Sequence, residues 1–373
     1  MGVDAFKKFL EKIELKPKNI PITEFKGKRI AVDASIYFFK YMSVCTSRVV
    51  DKTNLAEKDP DRGYILQLFI GMLLDQALFF LKYDITPIFV FDGPTHMYKL
   101  ATEARELERK EKKRVIDELY QRVRNPVAGV ANEKDIETLR TKLKGNTSVS
   151  LKERKMIYQT FKDLDIPCMI AKHDAEHLCA SLAIEGIVAA VYSTDTDCLA
   201  CGTPLFLNDK DWVVNEKGEK VMAFQGYFLE EVLVKSGLSF EKFQDMCICA
   251  GVDFNKGTKP KGSGIGKAYK HFSSGKSIVD MQNTYGDKFV GFNYMKSKEL
   301  FAVDVWENLL SEKEKEIDRL FNVRVKNIYK EGGMFLMKYK DQTYLMDFAQ
   351  KLVSLSIPKS VPCRPPHGAI RGG

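Results

Sequence analysis

Seven acids in this 373-residue chain stand where carboxylates can bind a cation: Asp33, Asp92, Asp174, Glu176, Asp195, Asp197 and Asp253. Asp33 closes the run RIAVD, Asp92 closes PIFVFD, and Asp195 closes IVAAVYSTD. Asp195 and Asp197 leave a strand, so their side chains, two residues apart, can point the same way. Asp174 and Glu176 open a helical pattern, DAEHLCASLAIEG, and the first of them is still a cap, so this pair can also face one site. Each acid alone has an ordinary reading as an N-cap or a turn residue. Seven converging carboxylates without cations would repel one another and take up protons. Hard divalent ions remove that problem, because Mg²⁺ prefers carboxylate and water oxygens. Two such ions about 4 Å apart can clamp an in-line phosphoryl displacement.

A second constellation is Lys261-Gly262-Ser263-Gly264-Ile265-Gly266-Lys267, placed before a helical pattern. Glycines let a backbone approach a ligand, and N–H groups at a helix start bind phosphate. The spacing is not that of a P-loop, since Ala268 follows Lys267. It suits a hairpin between helices that grips a DNA backbone without reading bases, or else a plain flexible loop. A rival motif is His173-Asp174-Ala175-Glu176-His177, which satisfies the HxxEH pattern of inverted zinc peptidases. That reading leaves Asp33, Asp92, Asp195, Asp197 and Asp253 without a role.

These residues need a frame to bring them together. The acid-terminated runs are short, β-branched or aromatic, and almost continuously apolar, as in strands buried on both faces. Helical patterns lie between them, notably over 62–82 and 174–186, so the chain reads as α/β with a mainly parallel sheet. In such sheets ligands sit outside the carboxyl ends of the strands. Residues 99–120 read as one long helix dense in both charges, with no wide apolar stripe, and 151–164 as another helix. Residues 125–150 read as loop with one short helical stretch, 281–356 as an α-rich piece with strands around 323–340, and 342–349 within it as a core helix. The Pro/Gly-rich end, 357–373, reads as disordered.

Composition excludes several classes. Apolar residues make up 45% and charged residues 29%, which rules out a collagen-like or wholly disordered chain. The longest apolar stretch, 64–80, contains Gln67, Asp75 and Gln76 and reads as a buried helix. The net charge of +8 is compatible with nucleic acid or an anionic surface without requiring either. Eight cysteines include only two close pairs, Cys198 with Cys201 and Cys247 with Cys249, so free thiols in a reducing compartment are expected. The start, MGVDAFKKFLEKI, reads neither as a signal peptide nor, with Phe6 at the sixth position, as a myristoylation site.

Taken in order, MGVDAFKKFL, RIAVDAS, PIFVFDGP, HDAEHLCASL, YSTDTDCLACG, GVDF and GSGIGKAYK resemble the flap endonuclease/XPG family of structure-specific 5′ nucleases. The likeness runs from Met1 to about Phe272, and the short spacer before HDAEH is similar to the flap-endonuclease branch. It implies a PIN-like 5′-nuclease fold: a mostly parallel central sheet flanked by helices, a helical arch over 99–155, and a helix-two-turn-helix DNA-binding element over about 240–272. The nuclease regions would be 1–98 and 156–280, followed by a divergent region over 281–356. All seven acids fall on the family's metal-binding positions, with Asp174-Ala175-Glu176 where relatives carry Glu-x-Glu.

By the same resemblance two Mg²⁺ ions are expected, replaceable by Mn²⁺, with room for a monovalent cation at the helix-two-turn-helix. Lys99 matches the family's active-site lysine, while Arg105 is one residue short of its partner arginine. Gly2 would lie near the junction phosphate, and Phe39, or Tyr37 with a gap, would stack on a base. The expected partner is branched or nicked double-stranded DNA with a 5′ single-stranded flap, cut by a monomer. No clear sliding-clamp peptide is present, since Gln342 to Ala349 lacks the second aromatic. The resemblance points to the nucleus, to the host nucleus if the chain is viral, or to the cytoplasm if replication occurs there. A catalytically silent junction-binding module is the remaining alternative. Seven negative charges facing a polyanion argue against it.

Overall fold

The computed structural model describes residues 3–94, 101–126, 132–252, 255, 260, 262–289, 291–292 and 294–301, and short strands within 328–370. Seven strands form one sheet: β1 (Lys18–Pro21), β2 (Arg29–Asp33), β3 (Thr86–Phe91), β4 (Cys168–Ile170), β5 (Ala190–Tyr192), β6 (Leu205–Val214) and β7 (Lys220–Phe228). Their order is β1-β7-β6-β5-β2-β3-β4. β4, β3, β2, β5 and β6 run parallel, and β7 returns antiparallel to β6 and β1. The apolar runs behave as their composition demands, since Ile30, Ala31, Val32, Ile88, Phe89 and Val90 are fully buried. The chain builds outward from β2 through β3 to β4, then crosses to β5 on the other side of β2. That reversal opens a crevice at the carboxyl ends of β2 and β5.

Contacts divide the chain into two compact units that cut across the linear boundaries at 98 and 155 expected from the sequence. The first comprises Met1–Ile36, Tyr83–Arg105 and Cys168–Phe321. It holds the sheet, α1 (Phe6–Lys12), α7 (Ala175–Ile184), α8 (Asp197–Ala200), α9 (Leu229–Ser236), α10 (Phe240–Ala250), α11 (Ile265–Ser273), α12 (Ile278–Tyr285) and α13 (Tyr294–Leu300). α7 is buried almost throughout and packs on β2, β3 and β5. α10 and α11 pack on each other, as a helix-two-turn-helix requires. The loop between them is tied to the last turn of α10: Asn255 Nδ2 donates to Ile248 O at 2.7 Å and Ser263 Oγ to Cys249 O at 2.8 Å. These bonds occupy carbonyls that a helix end leaves open.

The second unit comprises Tyr37–Lys82, Glu106–Pro167 and Asn322–Gly373. It contains most of α2 (Ser35–Val50) and of α4 (Ala101–Arg124), with α3 (Arg62–Lys82), α5 (Glu133–Lys144) and α6 (Leu151–Asp163). α3 is long and apolar enough to cross a bilayer by length and composition. It is a core helix here, burying Ile65, Leu66, Phe69, Ile70, Leu73, Leu74, Ala77 and Phe80. α6 starts at a capping box between Ser150 and Glu153. α4 carries the expected ion pairs along its exposed face, among them Lys112 to Glu108 and Arg114 to Glu111. Its second half packs through a narrow stripe where no wide apolar one was expected. Ile116, Leu119 and Val123 form a narrow stripe at helical spacing and bury against Leu55 and Leu139.

A four-stranded antiparallel sheet, β8 (Ile328–Glu331), β9 (Met334–Tyr339), β10 (Gln342–Leu345) and β11 (Ala369–Ile370), follows in the order β11-β10-β9-β8. β10 corrects the expectation of a core helix over 342–349. Gln342 to Leu345 pairs with β9, and four residues cannot express a helical period against a ready-made edge. β11 corrects the reading of the whole tail as disordered, because Ala369 and Ile370 pair with Tyr344 and Thr343.

Candidate metal centre

Register brings the acids to one end of the sheet. Asp33 is the last residue of β2 and lies opposite Val90 of β3. Asp92 follows β3 directly, Asp174 lies four residues beyond the end of β4, and Asp195 three beyond β5. The ends of β3 and β4 are drawn together by the backbone. Ala171 N–H donates to Phe91 O at 2.9 Å and Gly93 N–H to His173 O at 2.7 Å. A Cβ on Gly93 would lie 2.0 Å from Ala171 O and 2.9 Å from Lys172 O, so only glycine permits this approach.

The tie sets Asp92 against the start of α7. Asp174 holds the N-cap position without capping the helix through its own side chain. Asp92 Oδ1 instead accepts the N–H of Ala175, the first helical residue, at 3.1 Å. Asp92, Asp174 and Glu176 thereby offer carboxylate oxygens that all lie within 4.8 Å of one another. Asp174 and Glu176 are each only 7% exposed. An all-oxygen, mostly buried set at a positive helix end fits a hard divalent cation bound by carboxylates.

Asp33, Asp195 and Asp197 are held differently. Asp33 Oδ1 accepts from Ser35 N–H and Oγ, and its Oδ2 accepts from Ser193 Oγ at 2.8 Å. The same Ser193 oxygen accepts the Asp195 N–H at 3.0 Å. Asp195 Oδ1 in turn accepts the Asp197 N–H at 3.0 Å. Burial pushes the Asp33 carboxyl up to about 7, with Asp92 and then Asp195 adding repulsion and the two serines opposing it. Asp33 therefore senses both groups of acids. Ser35, Gly93 and Ser193 were not singled out from the sequence. Their signal was present in RIAVDAS, FDGP and YSTD, as small or hydroxyl residues beside each acid.

The remaining expected site residues divide. Phe39 on α2 is 71% exposed, whereas Tyr37 is 4% exposed and stacks on Tyr41. Gly264 is the N-cap of α11, and Gly266 and Lys267 are exposed in its first turn. Gly262 has φ +83°, and a Cβ on Gly264 or Gly266 would meet nothing within 4 Å. This opening suits the approach of a large ligand. Arg105 lies on α4, with its side chain outside the described residues. Gly2, Lys99, Asp253 and Lys261 also lie outside them. His173 precedes α7 and is half-buried, its Nδ1 3.3 Å from Pro94 O, while His177 is buried edge-on against Phe301. Neither histidine joins the metal-competent group found among the described residues.

A mixed, mostly parallel sheet with acids gathered at its carboxyl ends, followed by a two-helix hairpin, is the architecture of the PIN-like 5′ nucleases. The comparisons agree. The XPG N-terminal domain matches residues 1–113 and the XPG I-region matches residues 165–253, together more than half the chain. The chain belongs to the XPG family. Flap endonuclease 1 of Cryptosporidium muris is 31% identical over 315 residues, covering 81% of this chain and 62% of that protein. This chain thus matches less than two thirds of that relative's length. Flap endonuclease 1-1 of Paramecium tetraurelia is 26% identical, with 81% and 76% covered. Among solved structures, flap endonuclease-1 from Methanococcus jannaschii superposes with a TM-score of 0.51 at 22% identity, covering 82% of this chain and 95% of that one. The catalytic core of Rad2 in complex with DNA substrate gives 0.50 at 18% identity, with 87% and 88% covered. At these identities the two structures speak for the fold alone.

Proposed function

We propose that the chain is a metal-dependent, structure-specific 5′ nuclease of flap-endonuclease type. The observation that carries this is the gathering of acids from four separate chain segments at the carboxyl ends of β2, β3, β4 and β5. Asp92, Asp174 and Glu176, with Asp33 beside them, would hold one divalent ion. Asp195 and Asp197, joined by Asp253, would hold the other. Mg²⁺ is the ion this oxygen set favours, with Mn²⁺ as a substitute. Two such ions supply the charge that activates water and offsets negative charge on a phosphate.

The chain's own groups bind and orient the substrate. Lys99 would stabilise charge developing on the scissile phosphate, with Arg105 further along α4. The segment 99–155 is assigned as the arch through which a single-stranded 5′ flap passes. Lys261, Gly262, Gly264, Gly266 and Lys267 would grip the duplex backbone, Phe39 would stack on an exposed base, and Gly2 would approach the junction. Support for a large ligand at this end of the sheet comes from the β6–β7 hairpin. β6 pairs with β5 only through Phe206 and Leu207 and then runs on to Val214. It stands beyond the strand ends with Trp212 and Val214 exposed. The products would be a 5′-phosphate and a 3′-hydroxyl, in a monomeric enzyme acting where DNA is replicated or repaired, in the nucleus or, if replication is cytoplasmic, in the cytoplasm.

The zinc-peptidase reading loses its helix-borne pair, since His173 lies before α7. A silent junction binder leaves the buried acids without a purpose. The test is a product-length assay on 5′-flap, nicked, gapped and four-way DNA with Mg²⁺. Cleavage near the flap junction, stopped by EDTA and restored by Mg²⁺, is expected. No cleavage of any of these substrates with either Mg²⁺ or Mn²⁺ would overturn the reading.

A further inference from the structure

Residue 196 sits between Asp195 and Asp197, and its side chain makes a contact 193 positions away in sequence. Thr196 Oγ1 accepts the backbone N–H of Val3 at 3.1 Å. The next residue, Asp4, donates its own N–H to Gly251 O at 2.9 Å, just past the end of α10. α1 then continues along both hairpin helices. The Phe6 ring lies edge-on to Phe243 of α10 at 6.1 Å, and Phe9 edge-on to Tyr269 of α11 at 5.3 Å. Lys12 Nζ sits 5.0 Å from the centre of the Tyr269 ring. Val3, Phe6, Phe9 and Leu10 are all buried. One continuous segment therefore touches the acid-bearing turn at its start and the α10–α11 hairpin along the rest of its length.

The chemistry at position 196 is selective. An aliphatic side chain would fill the same space but leave the Val3 N–H without its acceptor, whereas a serine would keep the oxygen. The turn itself is short, four residues of helix after Thr196; Asp195 Oδ1 accepts the Asp197 N–H, and Gln244 Nε2 of α10 donates to Ala200 O at 2.9 Å. The Thr196 contact adds a second tie, at the start of the turn, to the one that Gln244 makes at its end.

We propose that Thr196 is a positioning residue: through Val3 and Asp4 it registers the Asp195–Asp197 turn with the α10–α11 hairpin, so that the group gripping DNA and the acids facing it are set by the same N-terminal segment. Its effect on rate rests on the nuclease reading. The linkage itself does not, and is measured without DNA. The full chain is compared as wild type, Thr196→Ser, Thr196→Val and Thr196→Ala, the last removing the acceptor with less bulk should the valine variant not fold. Amide hydrogen exchange in the metal-free protein should speed up about tenfold at both Val3 and Asp4 in the valine and alanine variants, while serine stays near wild type. Single-turnover cleavage of a 5′-flap DNA at saturating protein should fall by about the same factor, with the Mg²⁺ midpoint raised and DNA affinity unchanged. Faster exchange at Val3 alone, with Asp4 protected as before, would overturn the linkage. Wild-type cleavage and an unchanged Mg²⁺ midpoint in Thr196→Val or Thr196→Ala would overturn the positioning role. If the wild-type protein itself cuts nothing, the nuclease reading falls and the exchange data alone decide the linkage.

Discussion

Asp92, Asp174 and Glu176 approach one another because backbone hydrogen bonds pull the ends of β3 and β4 together, with Gly93 clearing the way. Asp33, Asp195 and Asp197 are instead spaced by hydroxyl and amide donors, with Ser193 standing between Asp33 and the turn after β5. The first arrangement concentrates negative charge and leaves the neutralising to a cation. The second spreads charge over donors and, at Asp33, over a retained proton. The difference teaches that carboxylates at equivalent places on one sheet can be prepared in two ways, one by close approach and the other by local solvation from the protein.

The largest expected effect separates the groups by chemistry. Asp92→Asn and Asp195→Asn should each bring cleavage of a 5′-flap substrate to the detection limit, while junction-DNA affinity stays within a few-fold, since phosphate binding comes mainly from basic and backbone groups. If Asp195→Asn cut with Mg²⁺ as fast as wild type while Asp92→Asn was dead, only the closely packed group would belong to the reaction. A smaller effect, confined to the backbone tie, is expected from Gly93→Ala. Its methyl would overlap a carbonyl, so stability to urea should fall by about 1–3 kcal/mol and cleavage should fall with it. A wild-type urea midpoint would mean that the ends of β3 and β4 part without cost.

A separate effect, read in the metal-free protein, is a pH dependence. In the metal-free protein Asp33 holds its proton to about 7, against an unfolded value of 3.8. Between these values the folded state binds more protons than the unfolded one, so its contribution to stability declines as pH rises from about 4 towards 7. Asp33→Asn removes this contribution. The gap in melting temperature between the variant and wild type should therefore widen in the variant's favour over that window, with EDTA present. A constant gap would place Asp33 among groups that ionise normally.

Much of this site was legible because its acids obey local rules. Asp33, Asp92 and Asp195 end apolar runs, and Asp174 with Glu176 opens a helix, so residue type and period alone point them to one end of a sheet. The supporting residues were not legible as such. Ser193 matters only because β5 lies beside β2, and Gly93 only because β4 lies beside β3. Thr196 matters only because the chain returns to Val3. Those are facts of tertiary pairing, invisible to spacing. Phe39 and Tyr37 differ in burial because helical positions two apart point about 200° apart, and the sequence does not state which side faces the core. β10 was misread as a helix for a related reason: four residues beside an existing strand take their structure from the neighbour, not from their own period.

The thiols behind the acids carry a practical consequence. All seven cysteines among the described residues lie outside any disulfide and are buried. Burial holds Cys179, Cys198, Cys201 and Cys247 well above the usual thiol range and pushes Cys45 up to about 11, and the nearby carboxylates raise the first three further. Alkylating reagents attack thiolates, not thiols. Near neutral pH these cysteines stay silent while the protein is folded and become reactive when it opens. The interior thus contains its own chemical recorder of unfolding. The rate at which label accumulates at Cys198 or Cys179 reports how often the floor beneath the acids comes apart, with no dye, tag or substituted residue required.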